Sequence, residues 1–296
     1  MKVSIITIVY NNCYYIGDCI ESVLSQTYDK VEHIVVDGGS VDGTRGVIDQ
    51  YRDRLAAYIS EPDKGLYDAL NKGIRMATGD IIGVLHSDDL FYAPNTLNKV
   101  VNAFRKTNAD LVYANGMYVP RDDERVVKRI YKAKPFYKHY MSFGWIPLHT
   151  TIYVKRELFD KYGLYDDSFA IASDYDISLR WFRNPEVRKQ FLDEWVVKMR
   201  LGGKSTNPQL QKKKSTEDLV IIKRHELYGL FTLAFKIGRK VPQYLYPRLI
   251  RMRDEHTFKQ PKRSRIRRLG KLNWERAKRS LGKLARKQVT HGARHR

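Results

Sequence analysis

The chain has 296 residues, 43% of them hydrophobic, and a formal net charge of +21. That length suits one large α/β unit with an extension, and the apolar fraction is too high for a globally disordered polymer. No stretch approaches the ~18 consecutive apolar residues of a spanning helix, which argues against an integral membrane protein.

The start, MKVSIITIVYNN, is a near-continuous apolar strand over 3–9, as expected where both faces of a sheet are covered. It has no small-residue cleavage pattern and leads straight into a helix, unlike a signal peptide. The protein is therefore expected on the cytoplasmic side. Ile16, Cys19, Ile20, Val23 and Leu24 recur at helical spacing. A second strand over 34–36 ends in the turn-rich Asp37-Gly38-Gly39-Ser40, and Asp42-Gly43-Thr44 opens another helix. A short strand over 58–60 precedes a helix over 66–76. A strand over 81–85, a helix over 97–104 and a strand over 110–113 follow. Strand-like pieces over 126–131, 150–154 and 195–199 come next, with a helix over 174–182 between the last two. From about residue 215 the chain reads as helical and basic. Cys13 and Cys19, the two cysteines, are too close for a useful structural disulfide. They are expected as buried thiols in a reducing compartment.

Strands alternating with helices imply a parallel sheet with right-handed crossovers. In such sheets ligands bind outside the carboxyl ends of the strands. Polar clusters fall there: Tyr10-Asn11-Asn12, Asp37, and His86-Ser87-Asp88-Asp89. Two adjacent carboxylates repel each other unless they are solvated or bridged by a cation. Oxygen-liganded Mg²⁺ or Mn²⁺ suits Asp88-Asp89, and such ions commonly share their shell with substrate phosphates.

SIITIVYNN, ESVLSQTY, IVVDGGSVDGT, SEPDKGLYDALNKGIRMATGD, LHSDD and SDYDISLRW, in that order, resemble the family 2 glycosyltransferases over roughly residues 1–205. The resemblance implies an α/β, GT-A type, Rossmann-like nucleotide-diphospho-sugar transferase domain over 1–210. A helical, basic extension over 211–296 completes the chain. It implies an inverting, metal-dependent transfer of sugar from a nucleotide-sugar donor to a saccharide or lipid-linked saccharide acceptor, in surface or lipid-linked polysaccharide synthesis. By position, Asp37 resembles the acid that meets the donor's base, with Thr7, Val9, Tyr10, Lys64 and Asn71 around the nucleotide. Asp88 and Asp89 match the motif that holds Mn²⁺ or Mg²⁺ on the donor diphosphate. Asp174 matches the catalytic base, and His149 an acceptor or diphosphate contact. Two positions depart from the family pattern: His86 stands where Asp or Asn is common, and Ser173 where an acid often precedes the base.

Each residue has a plainer reading that stays open. Asp174 is also a good helix N-cap, Asp37 a turn residue, Lys64 a surface charge and His149 a structural histidine. A catalytically idle nucleotide-sugar or polyanion binder with the same fold is the alternative to an enzyme. A nucleotidyltransferase would carry a Gly-rich, basic phosphate loop where Tyr10-Asn11-Asn12 stand.

The charge is uneven. Residues 259–296 hold 15 lysines and arginines against the single acid Glu275, leaving +14 of the +21 there. Ile266, Leu269, Ala277, Leu281 and Leu284 recur among them at near-helical spacing. A basic helix with an apolar stripe is expected to rest on anionic lipid at the inner face of the cytoplasmic membrane. No nucleic-acid-binding motif is present, so nucleic acid ranks below membrane as the tail's partner.

Overall fold

The computed structural model describes residues 1–202 and 208–251. The basic stripe over 259–296 and most of the Gly202-Gly203 turn region lie outside the described residues.

Nine strands form one sheet among the described residues: β1 (Val3–Val9), β2 (Val31–Asp37), β3 (Ala57–Ser60), β4 (Ile81–Val84), β5 (Leu90–Phe91), β6 (Leu111–Val119), β7 (Arg129–Tyr131), β8 (Ile152–Lys155) and β9 (Lys189–Arg200). Their order is β3-β2-β1-β4-β8-β6-β9-β5, with β7 beside β6. The helices are α1 (Ile16–Leu24), α2 (Thr44–Asp49), α3 (Leu66–Met76), α4 (Thr96–Thr107), α5 (His139–Ser142), α6 (Glu157–Tyr162), α7 (Ser173–Arg183), α8 (Pro208–Arg224), α9 (Leu230–Gly238) and α10 (Lys240–Arg251).

The sheet is mixed, and only its first half is parallel throughout; β6 and β9 form a further parallel pair. β3, β2, β1 and β4 run parallel, which aligns Val9 with Asp37 and Asp37 with Ser60. β8 then runs antiparallel to both β4 and β6, which corrects the all-parallel expectation. The cause is local. Instead of crossing over by a helix, the chain returns through β7, α5 and the one-turn helix His149–Thr151 directly into β8.

All seven residues of β1 are buried, so the strand is covered on both faces. Ile6, Ile34, Leu70 and Ile82 pack in one core; Val3, Ile5, Leu97 and Val112 pack in a second. Gly73 of α3 lets that helix approach β1, for a methyl there would sit 2.5 Å from Ile6 Cγ2. β6 runs six residues beyond the expected 113 because Asn115, although polar, is satisfied inside the sheet. Its Nδ2 donates to Asp193 at 2.8 Å, and its Oδ1 accepts from the Ala133 N–H at 2.8 Å.

Cys19 is buried, but Cys13 is only half-buried, and both thiols are free. The polypeptide after β9 joins the first core, where Ile221 and Ile222 of α8 are fully covered.

Candidate active site

The parallel strands bring four loops to one edge. Gly38 N–H donates to Val9 O at 2.9 Å, Asn11 N–H to Ser40 Oγ at 2.8 Å, and Asn12 Nδ2 to Ser87 Oγ at 2.8 Å. Asn11 has φ +49° and Gly39 φ +82°. Left-handed backbone is tolerated best by Gly and Asn, so the turn chemistry selects these residues. Gly38 is small for another reason: the Asp63 carboxylate sits where its side chain would go.

Asp37 is fully buried at the end of β2. Its carboxylate accepts the Ser40 N–H at 3.0 Å, the Ser40 hydroxyl, and the Ser60 hydroxyl at 2.6 Å. Tyr10, 57% exposed, stands beside it at the surface. Thr7 and Val9 are interior: Thr7 Oγ1 bonds His33 Nε2 at 2.9 Å, and Val9 packs with Ile16, Ile20 and Val35. Lys64 is exposed, and its backbone N–H donates to Asp68 at 3.0 Å. Asn71 is buried, with its amide clamped on the Tyr165 backbone: Nδ2 donates to Tyr165 O at 2.8 Å, and Tyr165 N–H donates to Oδ1 at 3.0 Å.

The acidic loop after β4 is held by two arginines that the sequence did not single out. Arg121 Nη2 pairs with Asp88 Oδ2 at 2.9 Å. Arg200 ends β9 with its side chain fully buried, reaching Asp18 at 2.7 Å and Glu124 at 2.5 Å. Arg200 also donates from Nη1 to Asp88 O at 3.0 Å, and its backbone N–H donates to Asp89 Oδ1 at 3.1 Å. Both guanidinium groups lie over the Tyr15 ring, at 4.8 and 4.9 Å. Isolated arginines after a loop carry no sequence pattern, which is why spacing could not find them.

Asp89 is 1% exposed, and its Oδ2 has no hydrogen-bond partner among the described residues. Burial, then the neighbouring Asp88 charge, pushes its carboxyl well above the ordinary range. A buried, unpartnered carboxylate oxygen is costly unless it is protonated or meets a cation. Asp88 and Asp89 therefore fit an oxygen-liganded divalent ion, although no group of three or more possible ligand side chains exists among the described residues.

Asp174 lies opposite, in the first turn of α7. The helix is capped at Ala172, with no side-chain cap bond, so Asp174 is not the N-cap. Its Oδ1 accepts the Tyr175 N–H at 2.9 Å and lies 3.4 Å from Tyr67 Oη. Burial raises its pKa, but the Lys214 charge first, then that of Lys236 and the Tyr175 N–H, outweigh burial and hold it below the usual value. Asp174 is thus kept ionised. The segment that presents it is pinned by Glu217 of α8, whose carboxylate accepts the N–H groups of Ala170, Ile171 and Ala172 at 2.9–3.0 Å.

His149 Nε2 shares a 2.6 Å hydrogen bond with Tyr165 Oη, and its ring lies 5.9 Å from that of His86. Burial pushes His149 down to about 4, so the ring is neutral at pH 7. The charges of Asp88 and Asp174 both act on His86. Asp174 therefore lies near His86 and Asp88 of the acidic loop, with the His149 ring beside that of His86.

Three comparisons bear on this arrangement. The profile of the Glycosyl transferase family 2 matches residues 4–172. An uncharacterized glycosyltransferase of Rickettsia prowazekii is 31% identical over 225 residues, covering 73% of this chain and 70% of that protein. Among solved structures, residues 1–349 of Staphylococcus aureus TarS in complex with UDP-GlcNAc superpose with a TM-score of 0.60 at 18% identity. That match covers 84% of this chain and 73% of that one; against the longer TarS structure it spans 41% of that chain. Mannosyltransferase PcManGT of Pyrobaculum calidifontis, in complex with GDP-Man and Mn²⁺, gives a TM-score of 0.58 at 20% identity over 99% of this chain and 84% of that one.

Proposed function

The chain belongs to glycosyl transferase family 2 and has the GT-A fold, and from that premise we propose that it moves a sugar from a nucleotide-sugar donor to an acceptor hydroxyl with inversion. The acceptor is a saccharide or lipid-linked saccharide of surface polysaccharide or glycolipid synthesis. The observation that carries this reading is that Asp174 sits in the first turn of α7 without capping it and lies near His86 of the acidic loop.

Inversion requires one in-line displacement at the anomeric carbon. Asp174 takes the proton of the acceptor hydroxyl as that oxygen bonds to carbon. A carboxylate held low is a weak base, so it works by position rather than by proton affinity. The α7 N-terminus favours its negative charge. Neutral His149, fixed by Tyr165, offers a hydrogen bond to the same pocket without adding charge. Tyr10 and the Asp37 turn form the wall for the donor's base, and Lys64 and Asn71 belong to the loop and helix beside it. Asp88 and Asp89 would hold Mn²⁺ or Mg²⁺, which supplies positive charge to the leaving diphosphate when bound. Arg121 engages Asp88 Oδ2, so an ion there competes with it or takes the other oxygen.

A panel of nucleotide sugars, screened for manganese-dependent thermal stabilisation and then for sugar transfer, tests the reading. One donor should stabilise the protein only with the divalent ion, and Asp89→Ala should abolish that dependence while the protein stays folded. Unchanged manganese dependence in Asp89→Ala removes the metal assignment. Donor binding with no turnover toward any saccharide acceptor replaces the enzyme with the idle binder.

A further inference from the structure

Helix α9 turns most of its apolar residues outward; Leu233 alone of its large apolar residues packs on the core. A helix at a protein surface normally buries its apolar stripe and exposes its polar one. In LFTLAFKIG the polar residues Thr232 and Lys236 are buried, whereas Leu230 (71% exposed), Phe231, Phe235 (45% exposed) and Ile237 face outward. The inward pair is fully used. Thr232 Oγ1 donates to Ser142 O at 2.7 Å, and Lys236 Nζ pairs with buried Asp218 at 2.7 Å and lies 3.3 Å from the Tyr175 ring centroid. The orientation is therefore built, not a loose end. Phe143 of the segment after α5 continues the outward apolar face, with its ring 5.4 Å from Phe235 and 6.1 Å from Phe231.

Beside this face opens a cavity of about 540 Å³, walled by Tyr140, Phe143, Trp145 and Phe235. Two cations, Lys134 and Arg239, complete the wall, and no carboxylate lines it among the described residues. Lys134 Nζ sits 3.4 Å from the Tyr140 ring centroid. Arg239 donates from Nη1 to Tyr131 Oη at 2.9 Å, while its Nε is buried without a partner among the described residues. Burial and the Arg239 charge both hold Lys134 below its ordinary pKa. Two cations without a carboxylate partner among the described residues, set in the wall of an apolar cavity, complement an anion that carries an apolar chain.

Chain connectivity ties the cavity to the candidate site. Trp145 and His149 are four residues apart, so at most about 14 Å of chain separates the cavity wall from the active-site histidine.

We propose that this cavity seats the phosphate-linked lipid that carries the acceptor, with the phosphate on Lys134 and Arg239 and the chain against Trp145, Phe143 and Phe235. The outward face of α9 rests on the bilayer that delivers it. Calling the ligand the acceptor's carrier rests on the glycosyl-transfer reading; the binding itself does not.

Farnesyl phosphate is a soluble probe of this chemistry, with farnesol and inorganic phosphate as half-ligands. Titrated into the full-length protein, farnesyl phosphate should give a saturable change in tryptophan fluorescence that disappears in Trp145→Phe. Phe235→Ser alters an exposed residue and should leave folding intact. Losing one aromatic contact or one charge should weaken binding about tenfold or more, in Phe235→Ser and in Lys134→Gln alike. Farnesol or phosphate alone should bind at least as weakly as farnesyl phosphate does to these variants. No response in wild type, equal binding by the variants, or farnesol binding as tightly as farnesyl phosphate overturns the proposal. If a response arises only when Leu269, Leu281 and Leu284 are all changed to Ser, the chain's own tail fills the cavity and the proposal fails. Because the titration needs no turnover, the two readings fail separately. Binding without sugar transfer defeats the enzyme reading alone, and transfer to a soluble acceptor without farnesyl phosphate binding defeats the cavity alone.

Discussion

Replacing Arg200 by Met tests whether a buried guanidinium organises the acidic loop. The arginine is fully buried and serves Asp18, Glu124 and the Asp88 carbonyl at 2.5–3.0 Å. Removing one partner of a buried ion pair costs about 3–5 kcal/mol, because the remaining charges lose their compensation. Asp18 and Glu124 are 18% and 22% exposed, so water reaches them and the lower end applies. A loss of about 3 kcal/mol corresponds to a fall of roughly 6–12 °C in Tm for a chain of this size class. The Asp89 Oδ1 bond comes from the Arg200 backbone N–H and survives the substitution. Donor affinity should therefore fall through loosening of Asp88, with Asp89 still anchored. Urea denaturation of both proteins with matched m-values measures the first effect, and nucleotide titration with manganese the second. Arg200→Lys keeps the charge but not the fork and should recover only part of the loss. A destabilisation below about 1 kcal/mol, with unchanged nucleotide affinity, refutes the reasoning.

Asn71→Leu leaves the buried Tyr165 N–H and C=O unpaired and should cost about 2–4 kcal/mol in denaturant unfolding. The same substitution should shift the pH response of His149, which Tyr165 orients. Burial pushes His33 down to about 3 from 6.5. The unfolded chain thus binds the proton first, and stability falls as pH drops through the window from 6.5 toward 3. The slope from this group is at most about 1.4 kcal/mol per pH unit. Thermal melts across pH 4–7 should flatten in His33→Gln relative to wild type. Gly73→Ala should destabilise by about 1–3 kcal/mol, since the added methyl meets Ile6, and calorimetry reads it directly.

The first half of the fold was legible because its signals are local. The apolar run of β1, the helical stripe through Ile16, Cys19, Ile20 and Val23, and the Asp37-Gly38-Gly39 turn each declare an element by period or by turn chemistry. The direction of β8 was not legible, because an apolar run does not state whether its neighbours run with it or against it. The two-residue strand β5 is too short to carry a period. Among the site residues, motif order led to Asp37, Asp88, Asp89 and Asp174. The groups that hold the acidic loop and the segment before Asp174 (Arg121, Arg200 and Glu217) come from distant parts of the chain and meet them only in three dimensions. α9 shows a deeper limit. Its sequence gives an amphipathic helix, but which face turns inward depends on Asp218 and Ser142 lying beneath it.

In the proposed mechanism Asp174 removes the acceptor's proton and does not touch the donor. Transfer by Asp174→Asn, compared with wild type under saturating donor and manganese, tests it most directly. The amide keeps the size and the Tyr175 N–H contact but cannot take a proton. Turnover should fall by about 10²–10⁴ while the donor's Kd stays unchanged. Turnover within a few-fold of wild type, or a donor affinity that collapses along with it, contradicts the account.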